Sequence, residues 1–238
     1  MNSFVLHIIA MSCMLLDHIW HFGLINHNIL NCIGRIAFPI FAFMIVEGYF
    51  KTKDLKKYIL RLFIFALLSE IPFNLMLGGS VIYSVTQNVL WTFLIGIGLI
   101  WLMEKVKGKN IFIRALMLIF ILFAGFILGL IGLTDYHYAG VFTVFVFYFF
   151  RNKKWYNLIV QIICLWVINT EILGGYEYLI NVGNYTIHIL RQSIAILGLI
   201  PIWLYNGNQG YYNKFIKYLY YSFYPLHLLV LWMISQII

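Results

Sequence analysis

Basic residues are confined to alternate gaps between the apolar runs of this 238-residue chain. They fall in four groups: Lys51, Lys53, Lys56 and Lys57; Lys105, Lys107 and Lys109; Arg151, Lys153 and Lys154; Lys214 and Lys217. The gaps near 22–28, 78–88, 133–138 and 171–185 contain neither lysine nor arginine. Short basic loops stay in the cytosol, and successive loops of a multi-span protein face opposite sides. The pattern therefore predicts a polytopic membrane protein with a cytosolic N-terminus.

The composition supports a membrane location. Hydrophobic residues make up 63% of the chain and charged residues 10%, whereas soluble domains average about 45–50% and 25%. The net charge of +8 is spread over four loops, so it predicts no nucleic-acid partner. Cys13, Cys32 and Cys164 lie in apolar stretches without ligand spacing, and we expect core residues rather than a metal site.

The apolar runs predict nine transmembrane helices, within a range of 8–10. A bilayer core of about 30 Å needs roughly 20 helical residues per crossing. The predicted spans are 4–22, 28–50, 59–77, 88–103, 111–132, 138–150, 156–172, 186–204 and 218–236. No cleavable signal peptide is expected, because the first run lacks a basic start. We therefore expect one all-α membrane domain over residues 1–238, in a bacterial cytoplasmic (inner) membrane, with its oligomeric state open.

Ionisable residues inside these spans are costly and mark functional sites. Asp17 and His18 lie near the outer end of the first span. Neighbours on a helix point about 100° apart, so they do not pair, and a group that orients His18 is expected from another helix.

Further polar residues are predicted toward the same outer side. They are Arg35, Glu70, Asn74, Asn88, Asp135 and Arg191, with Tyr136 beside Asp135 in the sequence, while His227 lies mid-span in the last helix. Pro39, Pro72 and Pro225 interrupt spans near polar residues, which favours kinks around a water-containing cavity. Two interpretations stay open: Arg35, Glu70 and Asp135 line a working cavity, or they only pair to fix helix packing.

A turn on the predicted cytosolic side, YNGNQG at 205–210, offers a second kind of site. Backbone amides in such a glycine-rich turn can bind a phosphate. The residues that we assign to this site are Arg61, Tyr205, Asn206, Gly207, Lys214 and Lys217.

Six motifs together resemble the TraX family of membrane proteins. They are IIAMSCMLLDHIW, GRIAFPIFAFMIVEGY, KKYILRLFIFALLSEIPFN, QNVLWTFLIG, DYHYAG and LYNGNQG…KYLYYSFYPLHLLVL, and they cover residues 8–231. The family is named for a conjugative pilus protein that N-acetylates pilin. The resemblance implies an acyltransferase that uses cytosolic acetyl-CoA, and it places a functional histidine at His18.

The expected mechanism combines these residues. A histidine, with an unperturbed pKa of about 6.5, can accept the proton of an incoming amine or hydroxyl, and transfer is either direct or through acyl-His18. We assign catalysis to His18, Asp17, Glu70 and Asp135, with Glu70 or Asp135 holding the tautomer of His18. Oxyanion or substrate positioning is assigned to Arg35, Asn74, Asn88, Tyr136 and His227.

Two other functions fit the same residues. A transporter or channel for a small polar solute would also use buried charges and kinked helices, although no internal repeat supports it. A scaffold role would use the charges only to hold helices together. The acceptor is open as well: a peptide or pilin amine, a glycan or a lipid.

Overall fold

The computed structural model describes residues 1–83, 85–182 and 185–237, and it is nearly all helical. The helices are α1 (Ser3–His21), α2 (Asn28–Gly34), α3 (Ala37–Lys51), α4 (Leu55–Gly78), α5 (Val89–Lys105), α6 (Ile111–Ile131), α7 (His137–Phe149), α8 (Trp155–Val167), α9 (Leu199–Leu204) and α10 (Lys214–Ser235). A π-helical turn, Ile168–Ile172, continues α8, and a 3₁₀ helix, Arg191–Gly198, precedes α9.

Among the residues that the structure describes, five helical segments are long and apolar enough to cross a membrane. They are Ser3–His21, Asn28–Lys51, Leu55–Gly78, Ile111–Ile131 and Trp155–Ile172. Helices also cover the predicted spans 88–103, 138–150 and 218–236. The membrane character of the chain is therefore supported, while the count of nine spans and the cytosolic N-terminus stay predictions.

The predicted helix over 186–204 is wrong at its start, where residues 186–190 belong to a strand, whereas Arg191–Leu204 is helical. The fold is therefore nearly, rather than purely, all-α. Strands β1 (Glu177–Val182) and β2 (Tyr185–Leu190) form an antiparallel hairpin, with Glu177 opposite Leu190. Tyrosine, isoleucine, threonine and valine favour strands, and a short apolar run does not distinguish strand from helix. Part of the gap at 171–185 falls on residues 183–184, which lie outside the described residues.

The second predicted span, 28–50, is one helical segment, Asn28–Lys51, that is interrupted at residues 35–36. Helix α2 ends at Gly34 and α3 begins at Ala37. Pro39 therefore lies in the first turn of α3, where its missing N–H would have had no intrahelical partner. In contrast, Pro72 and Pro225 lie inside α4 and α10, as predicted.

The chain divides into two compact units, and the boundary falls within α3. The first unit comprises Met1–Phe41 and Asn152–Ile238. Within it α1 and α10 run in the same direction, because the ring of Phe4 contacts Tyr211 and His7 contacts Tyr220, 3.9 Å apart and nearly parallel. The start of α1 and the loop before α10 are consequently at one end of this unit.

The N-terminus is bonded to that loop. The Met1 amine donates to the Leu204 carbonyl at 2.8 Å, and the backbone N–H of Ser3 donates to Asn208 at 2.8 Å. Gly210 has a φ of +74° and contacts the side chain of Asn2. A side chain at residue 210 would be strained in this conformation, so the glycine permits the close approach of the N-terminal segment.

The second unit comprises Ala42–Arg151 and contains α4 to α7. Small residues let its helices approach closely, as is usual in membrane bundles. A Cβ on Gly96 would meet Val144 at 2.9 Å, and one on Gly129 would meet the backbone of Tyr138 at 2.6 Å. The prediction of a single domain over residues 1–238 stays a prediction.

Candidate active site

Two buried histidines from different helices of the first unit share a hydrogen bond. His18, in the last turn of α1, and His227, in α10, place their Nδ1 and Nε2 atoms 2.6 Å apart. The ring planes differ by 17°, with centroids 4.9 Å apart. Both residues are more than nine-tenths buried: 9% of the His18 surface and 7% of the His227 surface are exposed. The hydrogen-bond partner of His18 is thus His227, and the assignment of Glu70 or Asp135 to hold the His18 tautomer stays a prediction.

The partners of these rings assign their tautomers. The Nδ1 atom of His227 lies 2.6 Å from the carbonyl oxygen of Phe223, and a carbonyl only accepts, so this nitrogen carries the proton. In neutral His227 the Nε2 atom then accepts from Nδ1–H of His18. The Nε2 atom of His18 keeps a lone pair and has no hydrogen-bond partner among the described residues. It is the atom that can take a proton from a substrate.

Asp17 belongs to a separate ion pair. Its carboxylate accepts from Nη2 of Arg35 at 2.5 Å and from Nδ2 of Asn31 at 2.5 Å. Gly34 lies directly against the Asp17 side chain, so that a Cβ there would collide with it. The pair joins α1 to the end of α2, which supports the packing interpretation of Arg35.

A chain of amides extends this network and was missed by the sequence analysis. Nη1 of Arg35 approaches Oε1 of Gln192 at 3.5 Å, and Nε2 of Gln192 donates to Oδ1 of Asn169 at 3.1 Å. Asn169 lies in the π-helical turn and is 2% exposed. Two sequence signals pointed to these residues: Asn31 precedes Arg35 by four positions, and Asn169 is an amide inside a predicted span.

Aromatic rings surround Arg191 next to the histidine pair. Its guanidinium lies 5.1 Å from the Trp20 ring, 4.9 Å from Tyr176 and 5.9 Å from Tyr178. The Trp20 ring contacts His21 at 5.3 Å, and His21 contacts His18 at 6.4 Å between centroids. Arg191 thus lies at the same end of the first unit as His18.

Glu70 forms the polar cluster of the second unit. One carboxylate oxygen accepts from Nε1 of Trp91 at 2.6 Å, from the backbone N–H of Asn88 at 3.2 Å, and from the Asn88 side chain. Asn88 is fully buried, and its Oδ1 also caps α5 by accepting from Leu90 N–H. The predicted residues Glu70 and Asn88 are thus brought together, and their bonds join α4 to α5.

The remaining predicted residues of this unit are more dispersed. Asn74 donates to the Val81 carbonyl at 3.0 Å. Asp135 and Tyr136 lie in the turn before α7, where Asp135 is exposed. The backbone N–H of Gln87 donates to the Leu133 carbonyl at 2.7 Å, which brings this turn alongside the segment that precedes Asn88.

The glycine-rich turn at 205–210 forms hydrogen bonds within the protein. The backbone N–H of Asn206 donates to Met1, and that of Asn208 donates to Oδ1 of Asn206. Lys153 donates to the Tyr205 carbonyl. Two backbone amides of this turn are therefore bonded within the protein, and its assignment to phosphate binding stays a prediction. Arg61 lies in α4, in the second unit, away in sequence from this turn.

The hydrogen bonds described above join residues of the same unit in each polar cluster. His18, Asp17, Arg35 and His227 form one, and Glu70 with Asn88 forms the other. The prediction of one cavity lined by all of these residues stays a prediction, as do their catalytic assignments.

Comparison with known proteins places the chain in a family. Residues 3–235 match the family model described as TraX protein. The chain belongs to the TraX family. This confirms the resemblance drawn from the motifs, over almost the whole chain.

The chain is also similar, over almost its whole length, to a bacterial assembly protein. The chain is 24% identical over 243 residues to a probable fimbrial assembly protein, FimC of serogroup H1, from Dichelobacter nodosus. The match covers 97% of this chain and 94% of that protein. No solved structure matches the chain.

Proposed function

We propose that this TraX-family protein is a membrane acetyltransferase that moves the acetyl group of cytosolic acetyl-CoA to the amine of a peptide at the outer side. The observation that carries the proposal is the buried His18–His227 pair, which leaves one basic nitrogen on His18. The name of the relative, a fimbrial assembly protein, supports a surface peptide as acceptor.

The chemistry needs one proton acceptor and one orienting group. Nε2 of His18 takes a proton as the acceptor amine attacks the thioester carbonyl, which forms the C–N bond. Collapse of the tetrahedral intermediate breaks the C–S bond, and the His18 imidazolium returns the proton to the departing thiolate. Throughout, the acceptor atom Nε2 of His227 holds Nδ1–H of His18 in place, and the Phe223 carbonyl holds His227.

Charge supports an approach of the donor from the cytosolic side. Lys214 is exposed at the start of α10, and Lys217 follows one turn later. Both are free of carboxylate partners in the described part of the chain, so they suit the phosphates of CoA. The rings of His7 and Tyr220 stack farther along α1 and α10, at 3.9 Å, between this end and His18.

The test is acetyl transfer by purified protein reconstituted in vesicles. Isotope-labelled acetyl-CoA and short peptides with free N-terminal amines are supplied, and labelled peptide is measured by mass spectrometry. We expect transfer by the wild type and by His188→Ala, a matched change at an exposed histidine whose Nδ1 contacts Glu177. His18→Ala should lose at least about 100-fold in rate. Retained transfer in folded His18→Ala would overturn the assignment.

A transporter is distinguished by the same preparation. A transport protein would move solute without consuming acetyl-CoA. The wild type and His18→Ala would then cleave the thioester at the same background rate. We expect instead that the wild type releases free CoA thiol only when an amine acceptor is present, and that His18→Ala releases none above background.

A further inference from the structure

Arg191 lies at the base of the β-hairpin, where three aromatic rings hold its guanidinium. The backbone N–H of Arg191 donates to the Tyr176 carbonyl at 3.0 Å, which closes the hairpin. The rings of Trp20, Tyr176 and Tyr178 all lie within 6 Å of the guanidinium carbon. Aromatic contacts of this kind fix the plane of a guanidinium.

No carboxylate pairs with Arg191 among the residues that the structure describes. Asp17 is bonded to Arg35, and Glu177 approaches Nδ1 of His188 at 2.9 Å. Trp20 Nε1, on a ring that contacts Arg191, is a buried donor without an acceptor in the described part of the chain. Donors without acceptors are uncommon in folded proteins and call for a ligand or a water.

The position of Arg191 relates it to the candidate base. Trp20 and His21 lie in the same last turn of α1 as His18, and ring contacts lead from Arg191 to Trp20, from Trp20 to His21, and from His21 to His18. An anion bound at Arg191 would thus lie a few ring widths from Nε2 of His18. That span is compatible with two groups on one extended peptide.

We propose that Arg191 binds a carboxylate of the acceptor peptide, so that the substrate class is a peptide with an acidic residue close to its N-terminal amine. The inference rests on the proposed acetyl transfer, but its test measures peptide binding alone. Aromatic rings fix the orientation of the guanidinium plane, and its N–H groups form a fork that matches a carboxylate. The acidic residue would fix the register of the peptide and place its amine at His18.

The test measures peptide binding without acetyl-CoA. Detergent-purified protein is titrated with fluorescent peptides that carry glutamate at one of the first positions, and with glutamine counterparts. We expect the wild type to bind at least one glutamate peptide about tenfold more tightly than its counterpart. Arg191→Gln should abolish this preference, and Arg191→Lys should keep part of it. Arg114→Gln, which removes an exposed arginine of α6, should leave the preference unchanged.

Several results would overturn the proposal. One is an equal preference in folded Arg191→Gln, and another is no preference in the wild type. A third is loss of the preference when phosphatidylglycerol is added to the micelles, because Arg191 would then bind a lipid phosphate. Intact Arg191-dependent binding without acetyl transfer would instead overturn the proposed function alone.

Discussion

His18 and His227 are 209 positions apart in the sequence, and their ring nitrogens lie 2.6 Å apart. This hydrogen bond joins α1 to α10 and passes on to the Phe223 carbonyl. It gives the buried His18 ring one orientation and one tautomer, as a general base requires. The predictions that follow separate this role from the structural roles of the neighbouring charges.

The first prediction concerns His227 as a positioning residue. His227→Ala removes the acceptor for Nδ1–H of His18, so kcat should fall by about 100-fold or more while KM changes little. His227→Gln offers an amide oxygen in place of Nε2 and should recover part of the rate. Steady-state acetyl transfer, normalised to folded protein, gives both values. A His227→Ala variant within a few-fold of wild-type kcat contradicts the role.

The second prediction concerns the Asp17–Arg35 pair. The side chains are 13% and 15% exposed, so Asp17→Asn leaves a largely buried guanidinium without its counter-charge. We expect a loss of about 2–4 kcal/mol in the free energy of unfolding. The double variant Asp17→Asn/Arg35→Gln should be more stable than the sum of its single changes predicts. Thermal unfolding in detergent measures all three variants, and additive losses would argue against the pair.

The third prediction uses two glycines. A Cβ at Gly34 collides with the Asp17 side chain, whereas one at Gly98, inside α5, meets nothing within 4 Å. Gly34→Ala should therefore destabilise the protein by about 1–3 kcal/mol. Gly98→Ala should be neutral, or stabilising by up to about 1 kcal/mol. Equal unfolding temperatures of the two variants would contradict the described packing of α1 against α2.

The fourth prediction concerns Glu70 as an anchor between α4 and α5. Glu70→Gln keeps the size of the side chain but weakens its bonds from Trp91 and Asn88. We expect a loss of about 1–3 kcal/mol in the free energy of unfolding. Trp91→Phe, which removes one donor only, should cost less. A Glu70→Gln protein as stable as the wild type would show that these bonds do not hold the helices.

The fifth prediction concerns orientation. The N-terminus is bonded to the loop at 204–210, whereas the hairpin follows the π-helical turn and contacts the opposite end of α1 through Trp20. With Cys13, Cys32 and Cys164 replaced, Asn208→Cys should resist a membrane-impermeant maleimide in intact cells, and Tyr176→Cys should react. The reverse labelling pattern would place the basic loops outside.

The sequence was sufficient to predict most of the helices but not the β-hairpin. Apolar runs near 20 residues predict spans because a bilayer requires that length, and α1, α4 and α6 match those predictions closely. The hairpin was missed because residues 186–190 (TIHIL) lead into the apolar residues that continue to Leu204. In so short a run, the periodicity of apolar residues does not distinguish a strand from a helix.

The candidate site was only partly predictable for a different reason. His18 and Asp17 stood out because charged and ionisable groups are rare in spans. Their partners depend on helix packing, which one sequence does not record. Thus Asp17 pairs with Arg35 and His18 with His227, while Asn31, Asn169 and Gln192 were absent from the predicted site.

The most direct test of the central claim is calorimetric titration of the purified protein with acetyl-CoA, alongside His18→Ala and free CoA. We expect micromolar binding by the wild type and by His18→Ala, because the histidine acts on the reacting atoms rather than on the nucleotide. Absence of binding at high micromolar concentration, in protein shown to be folded, would contradict the acetyltransferase account.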